Sequence, residues 1–217
     1  ILNITPQYTS SSIDNPSGTS TESTIKQQNI FLPISYAHYF NRHNALTISL
    51  PLSYSITGTA NSYNAALGIY FTHVMKRNKN WCWMLTPHVQ SGANLSTDLG
   101  SGTLAYSTGL GSRTLYHHHQ MRYGITNTLD YLSTIPIKIG DIETPYKIHN
   151  LATKNGVEFY YTTNNQFQLG GYIQHFQIIN GSKWYIQSYN QIGLTLAKTT
   201  AYRDASYQHI ALTANYA

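Results

Sequence analysis

Histidines are the residues that most directly suggest chemistry, because three of them are consecutive at His117, His118 and His119. Such a run suggests a metal site. Adjacent side chains on a strand point to opposite faces, however, whereas a zinc ion needs about four convergent ligands. We therefore expect these histidines to form part of a polar turn, and we predict neither a metal site nor a cofactor.

A serine close to a histidine is a second arrangement with catalytic potential. His88 with Ser91, and His209 with Ser206, bring a nucleophile and a base close together in the sequence. Neither pair has an acidic residue at a spacing that would complete a hydrolytic triad. The eight acidic residues also include no close pair within one predicted strand. We therefore predict no catalytic residue.

Charged residues inside the predicted strands have a regular placement. Four of them share the parity of the polar side chains and lie opposite the apolar ones: Arg122, Asp130, Lys154 and Glu158. The two segments that contain them would be neighbouring strands. Two ion pairs between them are compatible with this placement, Arg122 with Glu158 or Lys154 with Asp130, and the sequence does not choose between them.

A two-residue period runs along almost the whole chain and defines the strands that position these residues. Between 46 and 57 the even residues are apolar or Tyr, while the odd ones are Ser, Thr or Pro. Such alternation predicts β-strands rather than helices. It places eight residues on the apolar face: Leu46, Ile48, Leu50, Leu52, Ile125, Leu129, Val157 and Phe159. The candidate strands are 1–11, 25–40, 45–57, 64–75, 81–93, 102–116, 120–133, 148–163, 166–179, 184–197 and 207–217.

The composition excludes several classes of protein. Only 10% of the 217 residues carry a charge, against roughly 25% in average soluble domains. This excludes a coiled coil or a charged disordered tail, and the single cysteine, Cys82, excludes a disulfide scaffold. No apolar run is long enough for a transmembrane helix. The net charge of +5 is scattered rather than clustered, so we predict no nucleic-acid partner.

The polar face of the strands consists mostly of Ser, Thr, Gly, Asn, Gln and Tyr, with few charges. A soluble β-sandwich usually has a charged outer face, whereas a small membrane barrel encloses its polar face and turns its apolar face to lipid. Aromatic residues near predicted strand ends fit the interfacial girdles of such a barrel: Trp81, Trp83, Tyr131, Tyr161 and Trp184. A soluble β-rich module remains the alternative.

The predicted connections alternate in length. Short ones lie at 41–44, 76–80, 117–120 and 163–165, and longer ones at 12–24, 58–63, 94–101 and 134–147. Short turns at one end and long loops at the other are typical of outer-membrane barrels. The connections at 180–183 and 198–206 depart from this alternation.

Segments such as 185–196, with sequence YIQSYNQIGLTL, resemble barrel strands of bacterial outer-membrane proteins, including small outer-membrane proteins and autotransporter translocator domains. The resemblance covers nearly the whole chain. It implies an all-β, antiparallel, up-and-down transmembrane β-barrel of ten to twelve strands in the bacterial outer membrane. It also implies contact with outer-membrane lipid and lipopolysaccharide, and with the barrel-assembly machinery during biogenesis.

The end of the chain departs from this class in one respect. Members typically finish on an aromatic residue, with apolar residues at every second position before it. Here the alternation is present in 210–216, but Ala217 has the wrong phase. We expect residues 1–217 to form one barrel domain, with 1–24 as a first strand and an exposed loop, and we expect the natural chain to extend further.

The number of strands is open at this stage, because bacterial single-chain barrels have an even number and eleven candidates are present. Segment 1–11 lies outside the barrel, or 134–148 contains another hairpin, or several chains together close one barrel. Ten or twelve strands leave only a narrow bore. The four lumenal charges then form either a structural salt-bridge plug or an ion-selective constriction.

The functional hypotheses follow from the fold. The first is a structural, anchoring or adhesin-like barrel, as the membrane part of a surface or secretion assembly with partner proteins. Alternatives are a narrow channel for small solutes or ions, and a soluble carbohydrate-binding module. A lipid-modifying enzyme of the outer membrane is a further alternative, which lacks a convincing catalytic residue.

Overall fold

The structure is a computed structural model. It describes residues 2–4, 7–14, 24–96, 101–135, 137–139, 142–144, 147–163, 167–181, 187–201 and 207–216. These residues form fourteen strands. Their bounds are β1 Leu2–Ile4, β2 Gln7–Asp14, β3 Thr24–Tyr39, β4 Asn44–Thr57, β5 Ala60–Arg77, β6 Trp81–Ser96, β7 Ser101–His118, β8 Met121–Ile135, β9 Ile137–Ile139, β10 Ile142–Thr144, β11 His149–Thr162, β12 Phe167–Gly181, β13 Ser188–Ala201 and β14 Tyr207–Tyr216. The described residues contain no helix long and apolar enough to cross a membrane.

Twelve of these strands form one sheet in which neighbours along the chain pair antiparallel. Strands β1 and β2 pair with β3 in one continuous register, so they occupy consecutive stretches of a single position. Both also pair with β14, in parallel, and this pairing closes the sheet. The prediction of an all-β, antiparallel, up-and-down barrel of ten to twelve strands is confirmed.

The alternatives for the strand number have a clear outcome in the described residues. Segment 1–11 does join the sheet, through β1 and β2. Segment 134–148 does contain a hairpin, but β9 and β10 pair only with each other in a separate two-stranded sheet. Because β1 and β2 share one place, the twelve strands fill eleven positions around the barrel. An odd number of positions requires one parallel neighbour, which is β14 beside β1 and β2.

Two predicted long loops are replaced by strand. Residues 58–63 were expected to form a loop, yet β4 and β5 are joined by a two-residue turn in which Gly58 has φ 61°. The polar residues of this segment pair across the hairpin: the hydroxyl oxygens of Ser55 and Ser62 are 2.7 Å apart, and Tyr54 donates to Asn61 Oδ1 at 2.6 Å. Similarly, β6 continues to Ser96 and β7 begins at Ser101, so both ends of the loop predicted at 94–101 belong to strands, and residues 97–100 lie outside the described residues.

The connections therefore define two ends of the barrel. At one end of the barrel, which we call the turn end, the strands are connected by 40–43, 78–80, 119–120 and 163–166. At the opposite end, which we call the loop end, they are connected by 58–59, 97–100, 136–148 and 182–187. The predicted contrast between short turns and long loops is thus weaker than expected, because the connection at 58–59 is as short as any at the turn end.

The barrel has the reverse of a soluble protein's arrangement of apolar residues. In the described part of the chain, the buried hydrophobic residues are few and mostly small, such as Ala37, Ala45 and Ala152. Large apolar side chains alternate along the strands and are exposed on the outer face. The polar partners of the same strands face inward, so the inner wall is the place where polar side chains meet one another.

Candidate functional site: the inner wall of the barrel

The predicted apolar residues lie on the outer face of the sheet. Six of the eight are between 42% and 54% exposed: Ile48, Leu50, Ile125, Leu129, Val157 and Phe159. Leu46 and Leu52 share their phase on β4 and are half-buried. This outer face lies opposite every charged group discussed below.

Four of the five predicted girdle aromatics are exposed: Trp81, Trp83, Tyr131 and Tyr161. The Trp81 ring packs 4.8 Å from that of Tyr116, and Trp83 donates its indole N–H to Ser112 Oγ at 3.0 Å. The Tyr131 hydroxyl is 2.7 Å from His149 Nδ1. Trp184 lies outside the described residues. The four described aromatics stand toward the two ends of their strands, with Tyr131 at the loop end and the others at the turn end.

The predicted lumenal charges lie on the inner face, but their partners differ from those expected. Glu158 pairs with Arg113, a residue that the sequence reasoning did not select. Arg113 Nε donates to Glu158 Oε1 at 2.8 Å, and its Nη2 contacts the same oxygen. Arg113 lies on β7 and Glu158 on β11, so the side chains reach across β8 between them. They can do so because Gly124 lies beside Glu158 in the ladder, where an added Cβ would overlap the carboxylate.

Arg122 has an aromatic partner instead of the predicted carboxylate. Its guanidinium lies 4.4 Å from the centre of the Tyr160 ring, which is a cation–π arrangement. Tyr160 in turn lies over Gly170 and directs its hydroxyl to Glu158 Oε2 at 3.4 Å. We call Arg113, Arg122, Glu158 and Tyr160 the charge cluster. It lies on the inner wall of β7, β8 and β11, toward the turn end.

Asp130 pairs with His88 rather than with Lys154. His88 Nε2 is 2.8 Å from Asp130 Oδ1, across Gly109 on the strand between them. An added Cβ at Gly109 would overlap the Asp130 carboxylate. The Tyr70 ring stacks on His88 with 5.2 Å between centroids. Sequence spacing gave no signal for this pair, because its members are 42 residues apart and only the register of three strands aligns them.

The remaining sequence candidates do not assemble into a catalytic site. Ser91 lies on the outer face and donates to Ala105 O at 3.3 Å, so it points away from His88. Ser206 and the side chain of His209 lie outside the described residues. His117 and His118 end β7, and His119 lies in the two-residue turn with φ 54°. No group of three or more His, Cys, Asp or Glu in the described part of the chain has a metal-binding arrangement.

Lys154, like Arg122, is an inner-face cation that has no ion pair among the residues described by the structure. It is half-buried on β11, four residues before Glu158. Within the described residues it forms no ion pair. It therefore differs from Glu158 and Asp130, whose charges are compensated by their partners.

The inner wall also contains a cavity of about 470 Å³ toward the loop end. We call it the lumenal cavity. Its walls are formed by β3 to β8, and small residues dominate the lining, including Ser49, Ser53, Ala66 and Ser107. Tyr70 and Gln90 lie at its inner limit, where the Tyr70 hydroxyl donates to Gln90 Oε1 at 3.0 Å.

Several solved structures resemble this fold. The translocator domain of autotransporter NalP from Neisseria meningitidis matches with a TM-score of 0.58 and 9% identity, covering 94% of this chain and 77% of its own. A Pseudomonas aeruginosa FadL homologue matches with 0.47 and 9%, covering 95% and 63%. The transport unit of the autotransporter AIDA-I from Escherichia coli matches with 0.44 and 10%, covering 88% and 81%.

No protein-family model and no curated protein matches the sequence. The first of these structural likenesses shows that the chain has the fold of an autotransporter translocator barrel. The predicted class-level resemblance to bacterial outer-membrane β-barrels is therefore confirmed. At such low identity the likeness concerns the fold alone.

Proposed function

We propose that this chain is an integral barrel of the bacterial outer membrane that anchors a surface or secretion assembly. The observation that supports this most is the exposure of large apolar side chains at alternate positions around the outer face, illustrated by Ile125, Val157 and Phe159. In water, a continuous apolar belt of this kind would favour association with other surfaces. In a membrane the same belt meets hydrocarbon, and the exposed aromatics near the strand ends meet the headgroup regions.

The alternative of a soluble carbohydrate-binding module needs the opposite arrangement. It requires Leu46, Ile48 and Leu50 to pack in a dry centre, with water around the polar face. In the structure, Ile48 and Leu50 are 44% and 42% exposed, and the polar residues of β4 face inward. The exposed fractions of Ile48 and Leu50 therefore support a lipid-facing position for these side chains.

An anchoring role fits the inner wall better than catalysis does. The ion pairs Arg113–Glu158 and His88–Asp130 each cross an intervening strand and so tie three strands together. These ion pairs connect strands, and their side chains are therefore not free to act as acids or bases. The partners that we propose are outer-membrane lipid and lipopolysaccharide, the barrel-assembly machinery during biogenesis, and the proteins of the anchored assembly.

A charge on the outer face tests this proposal. We expect Ile125→Arg to lower the free energy of unfolding by about 2–4 kcal/mol in lipid vesicles, because an arginine near mid-membrane meets hydrocarbon. A soluble protein would tolerate the same change at an exposed site within ~0.5 kcal/mol. The measurement is urea unfolding followed by tryptophan fluorescence, together with heat-modifiable migration on a gel. Asn80→Arg, in an exposed turn, is the matched control and should have no effect.

The protein without detergent gives a second readout of the same proposal. We expect it to precipitate or associate when detergent is removed. A soluble, monodisperse chain whose Ile125→Arg variant unfolds like the wild type would refute membrane insertion.

A narrow channel is the second candidate function. It is favoured by the charge of Lys154 on the inner wall, which forms no ion pair with a described residue. Planar bilayer recordings distinguish the two candidates. An anchoring barrel whose lumen is blocked by the cross-strand ion pairs is expected to be electrically silent, both as wild type and as Lys154→Glu. A channel would conduct, and Lys154→Glu would shift its selectivity toward cations.

A further inference from the structure

The lumenal cavity differs chemically from the rest of the inner wall, because the described residues that line it include no Lys, Arg, Asp or Glu. The lining instead combines three kinds of group. Hydroxyl and amide side chains come from β4 to β7, aromatic rings from Phe31 and Tyr70, and rigid apolar surface from Pro33 and Pro51. A site without formal charge selects a ligand without formal charge, since a buried ion would lack a counter-ion.

Several polar side chains that line the cavity form no hydrogen bond to another described residue. Ser49, Ser53, Asn64 and Ser107 lie on the inner face and line the cavity, and none of them makes a side-chain hydrogen bond to another described residue. Gln90 uses its carbonyl oxygen to accept from Tyr70, which leaves its NH₂ group as a donor. By contrast, Arg113, Glu158 and Tyr160 of the charge cluster are hydrogen-bonded to one another. The cavity therefore offers hydrogen-bonding groups to a guest.

The size of the cavity matches a small solute. Its volume of about 470 Å³ lies within the ~300–1,000 Å³ of typical small-molecule sites. An entirely apolar guest, such as an acyl chain, would leave the serine, asparagine and glutamine groups unsatisfied. A guest with hydroxyl groups and an apolar ring face would satisfy them and would also contact Phe31 and the prolines.

From these features we infer that the lumenal cavity is a binding site for a neutral sugar of mono- or disaccharide size. The hydroxyl groups of the sugar bond to Asn64, Gln90 and the cavity serines, and its apolar face packs on Phe31. This site is separate from the anchoring role, because the residues proposed to bind the sugar, such as Asn64, Gln90 and Ser107, lie on the inner face.

The test is isothermal titration calorimetry of the folded barrel with maltose, in lauryldimethylamine oxide so that no sugar-headed detergent competes. Lactobionate, an anionic disaccharide derivative, is the charged comparison. Two variants weaken the site: Ser107→Phe fills the cavity, and Asn64→Leu removes an amide at nearly constant volume. Thr108→Phe is the matched control, since the neighbouring residue on β7 faces outward. Heat-modifiable migration confirms that each variant is folded.

We expect maltose to bind the wild type and Thr108→Phe equally, and to bind Ser107→Phe and Asn64→Leu ~10-fold more weakly or not at all. Lactobionate should bind ~10-fold more weakly than maltose. Absence of maltose binding to the folded wild type would overturn the inference, as would equal binding by Ser107→Phe. Preferential binding of lactobionate, or of a fatty acid in place of sugar, would also overturn it. None of these results bears on membrane insertion, which Ile125→Arg tests separately.

Discussion

The charge cluster and the lumenal cavity lie on the same inner wall and share β7 and β8, yet they are built in opposite ways. In the charge cluster, large side chains lie over glycines, as Glu158 does beside Gly124 and Tyr160 does over Gly170. In the cavity, small residues face other small residues and space remains. A glycine next to a large residue produces contact, whereas a row of small residues produces a void. The first region stabilises the wall, and the second leaves its polar groups for a ligand.

The largest expected effect comes from removing the acid of the charge cluster. Glu158→Gln leaves the guanidinium of Arg113 facing a neutral group, with Arg122 close by, and the Glu158 side chain is only 11% exposed. We expect a loss of ~2–3 kcal/mol in the free energy of unfolding, below the usual cost of breaking a fully buried ion pair, because the Arg113 side chain is 40% exposed and water screens its charge. Urea unfolding in vesicles measures it. Lys154→Gln removes a charge on the same face of the same strand without breaking a pair, and it should change stability by less than ~1 kcal/mol.

The glycines of β7 give the second comparison. Gly109→Ala places a Cβ against the Asp130 carboxylate and the Leu129 carbonyl, so the His88–Asp130 pair must separate. We expect a loss of ~2 kcal/mol from this crowding. Gly111 lies two residues further along the same face, where an added Cβ would meet nothing closer than 3.6 Å. Gly111→Ala should be neutral or slightly stabilising, and equal losses for the two variants would show that crowding at Asp130 is not the cause.

The smallest expected effect lies in the cavity. Asn64→Ala removes a side chain that bonds no other described residue, and we expect a change within ~0.5 kcal/mol. Asn61, three residues earlier on β5, accepts a hydrogen bond from Tyr54 at 2.6 Å. Asn61→Ala should therefore cost ~1 kcal/mol. If Asn64→Ala proved the more damaging of the two in unfolding experiments, the cavity side chains would belong to the structural part of the wall.

The sequence predicted most of the fold because the strand period is local. Alternation at 46–57 or 120–133 is visible in adjacent residues, and it determines which face each side chain takes. Local composition was a poorer guide to strand ends. Residues 58–63, with sequence GTANSY, lack large aliphatic residues and so predicted a loop. They nevertheless continue the β4–β5 ladder, because Asn61 and Ser62 form hydrogen bonds across the hairpin.

Parity along the strands was sufficient to predict which side chains lie on the inner face: Arg122, Asp130, Lys154 and Glu158. It was not sufficient to predict their partners. Arg113 and His88 reach their acids across an intervening strand, and such a reach depends on the register of three strands and on a glycine in the middle one. No spacing within a single segment contains that information. The sequence therefore left Arg122–Glu158 and Lys154–Asp130 as the candidate pairs, whereas the structure contains Arg113–Glu158 and His88–Asp130.

The amino-acid sequence by itself determined which side chains share a face of each strand. A two-residue period separates apolar from polar side chains within a single strand and does not depend on how the strands pair. Only the tertiary structure decided which strand neighbours close the barrel, which acids meet which bases, and where the inner wall is left hollow. The physical reason is that facing direction is a property of one strand, whereas pairing and packing depend on residues distant in sequence that register brings to the same level.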